Sequence, residues 1–211
     1  PPFTTSRPDL QAAARVNGEA LIDPKALVLI RWIALFGQSA ALFTVFFFFD
    51  FAPPFLSAFG IILVSVALNI WQAWRTRHVT QTSALELLLA LSFDVIQLAG
   101  LLYLTGGLTN PFSILLLAPI AVSAALLDFR STAVLVILVG VSATLLSRFH
   151  LPLPLLSDGF VLPPLYLTGL LAALMVSALF ISFYVWWLAD KSRRTSASLV
   201  ATQLVLEREQ Q

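Results

Sequence analysis

The chain is built around apolar runs long enough to cross a lipid bilayer, and this limits its fold more than any motif does. A hydrocarbon core about 30 Å thick needs roughly 17–25 apolar residues in a helix that rises 1.5 Å per residue. Such runs fall at residues 26–49, 55–74, 84–104, 112–127, 132–148 and 165–189. With 59% of its residues hydrophobic and 11% charged, the chain has too little polar surface to coat a soluble globule. The expected fold is therefore an all-α membrane protein, a six-helix transmembrane bundle. Pro, Gly or charge interrupts the apolar pattern at each turn. The fourth and fifth runs, about 16–17 residues each, stand near the lower limit for spanning and are also compatible with one re-entrant hairpin. Either choice keeps both termini on one side.

Three regions follow. Residues 1–25 carry Arg7, Asp9, Arg15, Glu19, Asp23 and Lys25 without an apolar core, which reads as a polar N-terminal tail and not as a signal peptide. Residues 26–189 form the six-span domain, and 190–211 a polar, helix-favouring linker. Lysine and arginine are retained on the cytoplasmic side of membrane proteins. Ten of the twelve fall in the two tails and in the segments after the second and fourth spans, against Arg148 alone on the other side. All five tryptophans lie at span ends that this rule makes cytoplasmic. Both termini are thus expected in the cytoplasm. The absence of cysteine excludes a disulfide framework or a thiolate metal site in this chain, and a net charge of +1 with segregated charges gives no nucleic-acid surface.

Ionisable residues inside spans are costly and take a functional or pairing role. Arg31 and Glu86 fall near the cytoplasmic boundary, where a snorkelling arginine and a headgroup-level carboxylate can form an ion pair with each other. Asp94 lies near the middle of the third span, with Gln38 and Gln97 at similar depth. It must face the bundle interior, either as a neutral acid that joins helices or as an acid linked to proton or quinone chemistry.

The segment Gly106-Gly107-Leu108-Thr109-Asn110-Pro111-Phe112 reads as a junction between the third and fourth helices. Gly106 or Gly107 supplies a left-handed residue, Asn110 caps the next helix and Pro111 takes its first position. Such a start exposes backbone N–H groups beside the Phe112 ring, suited to the carbonyl oxygens of a flat apolar ligand. A plain tight turn uses the same residues.

The pattern Gly106-Gly107-x-x-Asn110-Pro111-Phe112 resembles the GGxxNPF signature of the RegB/PrrB/ActS-type redox-responsive sensor histidine kinases, complete at its five fixed positions. The six spans, the inward termini and the approach to a dimerisation helix at residues 199–211 are similar to the same family. The resemblance implies a bacterial inner-membrane sensor domain, forming a homodimer, that binds ubiquinone near Gly106, Gly107, Thr109, Asn110, Pro111 and Phe112. It further implies a cytoplasmic ATP-dependent kinase region that phosphorylates a RegA-type response regulator. That region, with its phospho-accepting histidine, lies outside this sequence, and the chain is read as part of a longer protein. His78 and His150, in loops on opposite sides, suit neither that role nor a metal site. A small transporter or channel would show repeated halves with midplane breaks, and Pro119 has no counterpart. A lipid-modifying enzyme would need clustered acids or histidines at one interface, and Asp128 beside Arg130 is too little.

The topology is testable with single cysteines at Ser57, Ser83, Thr109, Ser157 and Ser196. An impermeant reagent should label positions 57, 109 and 157 from outside and leave 83 and 196 unlabelled; external labelling at 83 overturns the arrangement.

Overall fold

The structure, a computed structural model, describes residues 24–48, 55–75, 82–151 and 163–209. Helices α1 (Pro24–Phe48), α2 (Phe55–Arg75) and α3 (Ala84–Leu104) come first. Two 3₁₀ turns, Gly107–Thr109 and Pro111–Leu116, lead into α4 (Leu117–Leu126), followed by α5 (Phe129–Arg148) and α6 (Pro164–Glu209). No strand occurs among the described residues. The six apolar runs therefore coincide with six helical stretches. By length and composition α2, α3, α5 and the Pro164–Ser192 part of α6 are able to cross a membrane, while Val28–Thr44 and Pro111–Leu126 are shorter apolar helices.

The core runs along α3. Leu87, Leu91, Val95, Leu98 and Leu102 recur at the three- and four-residue spacing that keeps side chains on one helix face. That stripe joins Ile120 of α4, Leu135, Val139 and Ala143 of α5, and Leu174 and Ala178 of α6 in one buried cluster. A smaller cluster, Leu42, Ala58, Ile62 and Leu101, attaches α1 and α2 to the far side of α3. Large apolar side chains elsewhere point outward, among them Leu56, Ile137, Phe180 and Phe183. In water such a surface would be an association hazard, whereas against lipid it is the ordinary exterior of a spanning helix.

Local chemistry sets the helix ends. Ser83 opens α3 with a capping box: its Oγ accepts from the Glu86 N–H at 3.2 Å, and Glu86 Oε2 accepts from the Ser83 N–H at 3.4 Å. Asp128 caps α5 by accepting from the Arg130 N–H at 3.1 Å. This cap starts α5 at Phe129, earlier than the apolar run suggests, and gives it 20 residues. Its carboxyl stands outside the apolar spans, held below the usual carboxylate range chiefly by the Ser131 hydroxyl. The fourth run remains short. Its first six residues wind as a 3₁₀ helix, and Pro119 has no N–H to offer the Leu115 carbonyl where that coil passes into α4. That tighter coil rises about 2.0 Å per residue and lengthens the segment by roughly 3 Å relative to an α-helix.

Both Gly106 (φ 105°) and Gly107 (φ 61°) lie in the left-handed region, so the expected single special glycine is in fact a pair. Space adds a second constraint at Gly107. A Cβ there would stand 2.5 Å from the Leu146 carbonyl oxygen and 2.7 Å from the His150 ring, because the end of α5 packs directly on the turn. The contact is fixed nearby by the Leu151 N–H donating to the Tyr103 carbonyl at 2.8 Å.

Gly107→Ala should therefore destabilise the domain by at least about 1–2 kcal/mol from backbone conformation alone, with the steric clash in addition. Gly60→Ala, a helical position with nothing within 4 Å of an added Cβ, should be neutral or slightly stabilising. Thermal unfolding of the two variants in the same detergent compares them directly, and equal midpoints contradict the account of the turn.

Candidate intramembrane binding site

A cavity of about 480 Å³ lies between α1, α2, α3 and the stretch formed by the second 3₁₀ turn and α4. Its size falls within the roughly 300–1,000 Å³ of small-molecule sites. Its walls are mainly aliphatic, with Leu35, Leu42, Leu98, Leu101 and Leu115 among them. Polar groups occupy three levels: Arg31 with Asp94 at one end, Gln38 with Gln97 between, and Thr105 with Asn110 at the other. On α3 the separation from Asp94 to Thr105 corresponds to roughly 16 Å of helix rise.

At the first level Arg31 grips Asp94 through two hydrogen bonds. Nε donates to Oδ2 at 3.0 Å and Nη2 to Oδ1 at 2.8 Å. Nη2 also donates to the Ala90 carbonyl at 2.6 Å, and Nη1 to Gln72 Oε1 at 2.5 Å. Planar two-point pairing of this kind is the strong form of the arginine–carboxylate contact. The Arg31–Glu86 pair expected from the sequence is not formed. Glu86 instead pairs with Arg75 at 2.7 Å at a more exposed level, while its other oxygen serves the α3 cap. The physical reason is depth: Arg31 lies well inside α1, opposite Asp94, whereas Glu86 sits in the first turn of α3. Gln72, a further partner of Arg31, was not among the residues marked from the sequence.

At the second level the Gln97 amide donates to Gln38 Oε1 at 2.8 Å and bridges α3 to α1. At the third level the motif residues separate into two groups. Asn110, Pro111 and Phe112 line the cavity, with Phe112 partly exposed. Gly106, Gly107 and Thr109 form the turn behind it, where Thr109 Oγ1 donates to the Gly106 carbonyl at 2.6 Å.

Asn110 is the N-cap expected, with Pro111 at the first helical position. The free backbone donors expected beside it are absent. Asn110 Oδ1 accepts from the Phe112 N–H at 2.9 Å and the Asn110 carbonyl from the Ser113 N–H at 2.9 Å. A 3₁₀ start leaves fewer orphan N–H groups than an α-helical one, and Pro111 contributes none. The Asn110 amide is committed as well, since Nδ2 donates to the Thr105 carbonyl at 3.0 Å and to Thr105 Oγ1 at 2.8 Å. Asn110 thus fastens the end of α3 to the start of α4, and Phe112 is the motif side chain left to meet a ligand. His150 bonds through Nδ1 to the Leu151 carbonyl at 3.0 Å and supports the turn; His78 lies outside the described residues.

No profile of a known protein family matches the chain, and no solved structure does. Among curated proteins it is similar to the sensor histidine kinase RegB of Cereibacter sphaeroides, 38% identical over 192 residues, which is 88% of this chain and 40% of the relative. A second RegB sequence from a strain of that species is 38% identical over 191 residues, with the same shares. The chain spans about 40% of the length of these relatives. The glycine-rich junction, the apolar helices and this identity agree, and over 88% of its length the chain is similar to RegB-type sensor histidine kinases.

Proposed function

We propose that this chain is the membrane sensor domain of a RegB-type two-component histidine kinase, and that a ubiquinone occupying the cavity between α1, α2, α3 and α4 is its ligand. The observation that carries the reading is the position of Asn110, Pro111 and Phe112 in the wall of an apolar cavity that also holds the Gln38–Gln97 and Arg31–Asp94 pairs. An apolar enclosure with a few polar groups suits a largely apolar ligand with ring carbonyl oxygens, and the Phe112 ring offers an aromatic surface to pack against that ligand.

In this reading both termini are cytoplasmic. The 46-residue α6 is about 69 Å long, more than twice the hydrocarbon thickness, so it leaves the membrane as a continuous helix. Leu199 and Leu206 are seam positions of a parallel homodimer there. Beyond it a kinase region would use ATP and pass phosphate to a RegA-type response regulator. Signalling requires oxidised and reduced quinone to favour different kinase states, because a ligand that binds both states equally shifts neither.

Binding of ubiquinone to the purified chain in nanodiscs tests the proposal. Phe112→Ala spares the Asn110 cap and should weaken binding about three- to tenfold, with the helical circular dichroism unchanged. Unchanged affinity in that variant moves the ligand out of this cavity, and no binding by the wild type removes the quinone reading.

A further inference from the structure

The polar groups of the cavity differ in what they have left to give. Asn110 has spent both amide hydrogens on Thr105, and Thr105 Oγ1 donates to the Leu101 carbonyl at 2.7 Å. Ser65 Oγ donates to the Ile61 carbonyl at 3.2 Å. Asp94 accepts at both oxygens from Arg31, whose guanidinium is shared with Gln72 and Ala90. Gln38 and Gln97 are joined by one hydrogen bond, although two primary amides carry four N–H groups and two carbonyl oxygens between them. Among the described residues Gln38 Nε2 and Gln97 Oε1 have no partner, and both side chains line the cavity. Exchanging the sense of the bond, with Gln38 donating to Gln97, still leaves one amide donor and one amide acceptor.

We infer that the Gln38–Gln97 pair is the hydrogen-bonding station of this cavity, where an amide N–H binds a ring carbonyl oxygen of a quinone-class ligand. The inference rests on the quinone reading above and assigns the contact that the Asn110 amide is not free to make. Gln97 lies eight residues before Thr105 on α3, roughly 12 Å along the helix axis. The ring therefore sits deep in the cavity, one helical turn from the Arg31–Asp94 pair, and the junction at Asn110 to Phe112 packs on the ligand's apolar substituent. The same pair offers its carbonyl oxygen to the hydroxyl of a reduced ring. Gln38 binds the ring carbonyl through its free amide N–H, while Gln97 orients Gln38, fixes the distance between α1 and α3 and supplies the free carbonyl oxygen.

The experiment uses decylubiquinone with ¹³C-labelled ring carbonyls bound to the full chain in nanodiscs, read by infrared difference spectroscopy and by affinity. In the wild type one carbonyl band should move to lower frequency relative to the same compound in empty nanodiscs. Gln38→Met keeps the length of the side chain without its amide; it should abolish that shift and weaken binding about three- to tenfold. Gln97→Met should reduce the shift and weaken binding to a smaller extent. Phe112→Ala should bind less tightly yet keep the shifted band at saturation. A bound wild-type ligand whose carbonyl bands are unshifted overturns the assignment without reference to any variant, as does a shifted band with wild-type affinity in folded Gln38→Met. Loss of binding in the wild type would instead remove the quinone reading itself.

Discussion

The ion pair between Arg31 and Asp94 is the interaction on which the site depends. Each charge alone in a span would cost about 2.5–3.5 kcal/mol on insertion scales, so neither is tolerated without the other. Their union places α1 beside α3 at a fixed depth and rotation. The two helices make little backbone contact and are bridged by long polar side chains, Arg31 to Asp94 and Gln38 to Gln97. Aliphatic side chains alone would let the helices close on one another. Polar bridges of fixed length hold them apart, and the gap between the bridges and α4 is the cavity.

The opposite end of that gap is held by an equally local device. Two left-handed glycines turn the chain, Asn110 ties Thr105 to Phe112, and the next six residues form a 3₁₀ coil. The glycines and the asparagine are required by the turn itself, so their presence in the signature is accounted for by architecture. Phe112 is different: no hydrogen bond or cap depends on its side chain, and its ring remains accessible at the cavity wall. A signature can therefore mark a ligand site while most of its letters serve the backbone.

Hydropathy located the six helical stretches to within a few residues, because continuous apolar runs have few alternatives in lipid. It misplaced the start of α5, where the Asp128 cap recruits Phe129 and Arg130 into the first turn, whereas α6 continues to Glu209 through the segment read as a helix-favouring linker. The glycine junction was legible from residue types. The use of the Asn110 amide was not, since its partner Thr105 is set by the three-dimensional path of the turn. Arg31 was matched to the wrong carboxylate because span edges were judged from hydropathy. Counting residues from the helix starts, Pro24 for Arg31 and Ala84 for Asp94, brings the two to within roughly 5 Å in depth and shows the pairing. The cavity had no sequence signal, because it arises from side chains on α1, α2, α3 and the 3₁₀–α4 stretch brought together by the fold.

Position also decides how the cavity reaches the rest of the molecule. Ala118, Pro119 and Val122 of α4 line the cavity, while Leu117 and Ile120 of the same short helix belong to the buried cluster that includes Leu174 and Ala178 of α6. The most extensive helix contact in the structure is the one between α4 and α6. A close-packed interface does not absorb displacement gradually, so a shift of α4 must either be refused or passed to α6. Pro119 removes one backbone bond at the 3₁₀ to α transition in that wall. α6 runs on as an unbroken helix for about 25 Å past Ser192. The ten-residue α4 therefore lies between the cavity and α6, and on the proposed reading discrimination between two ligand states would be expressed in the position of α4.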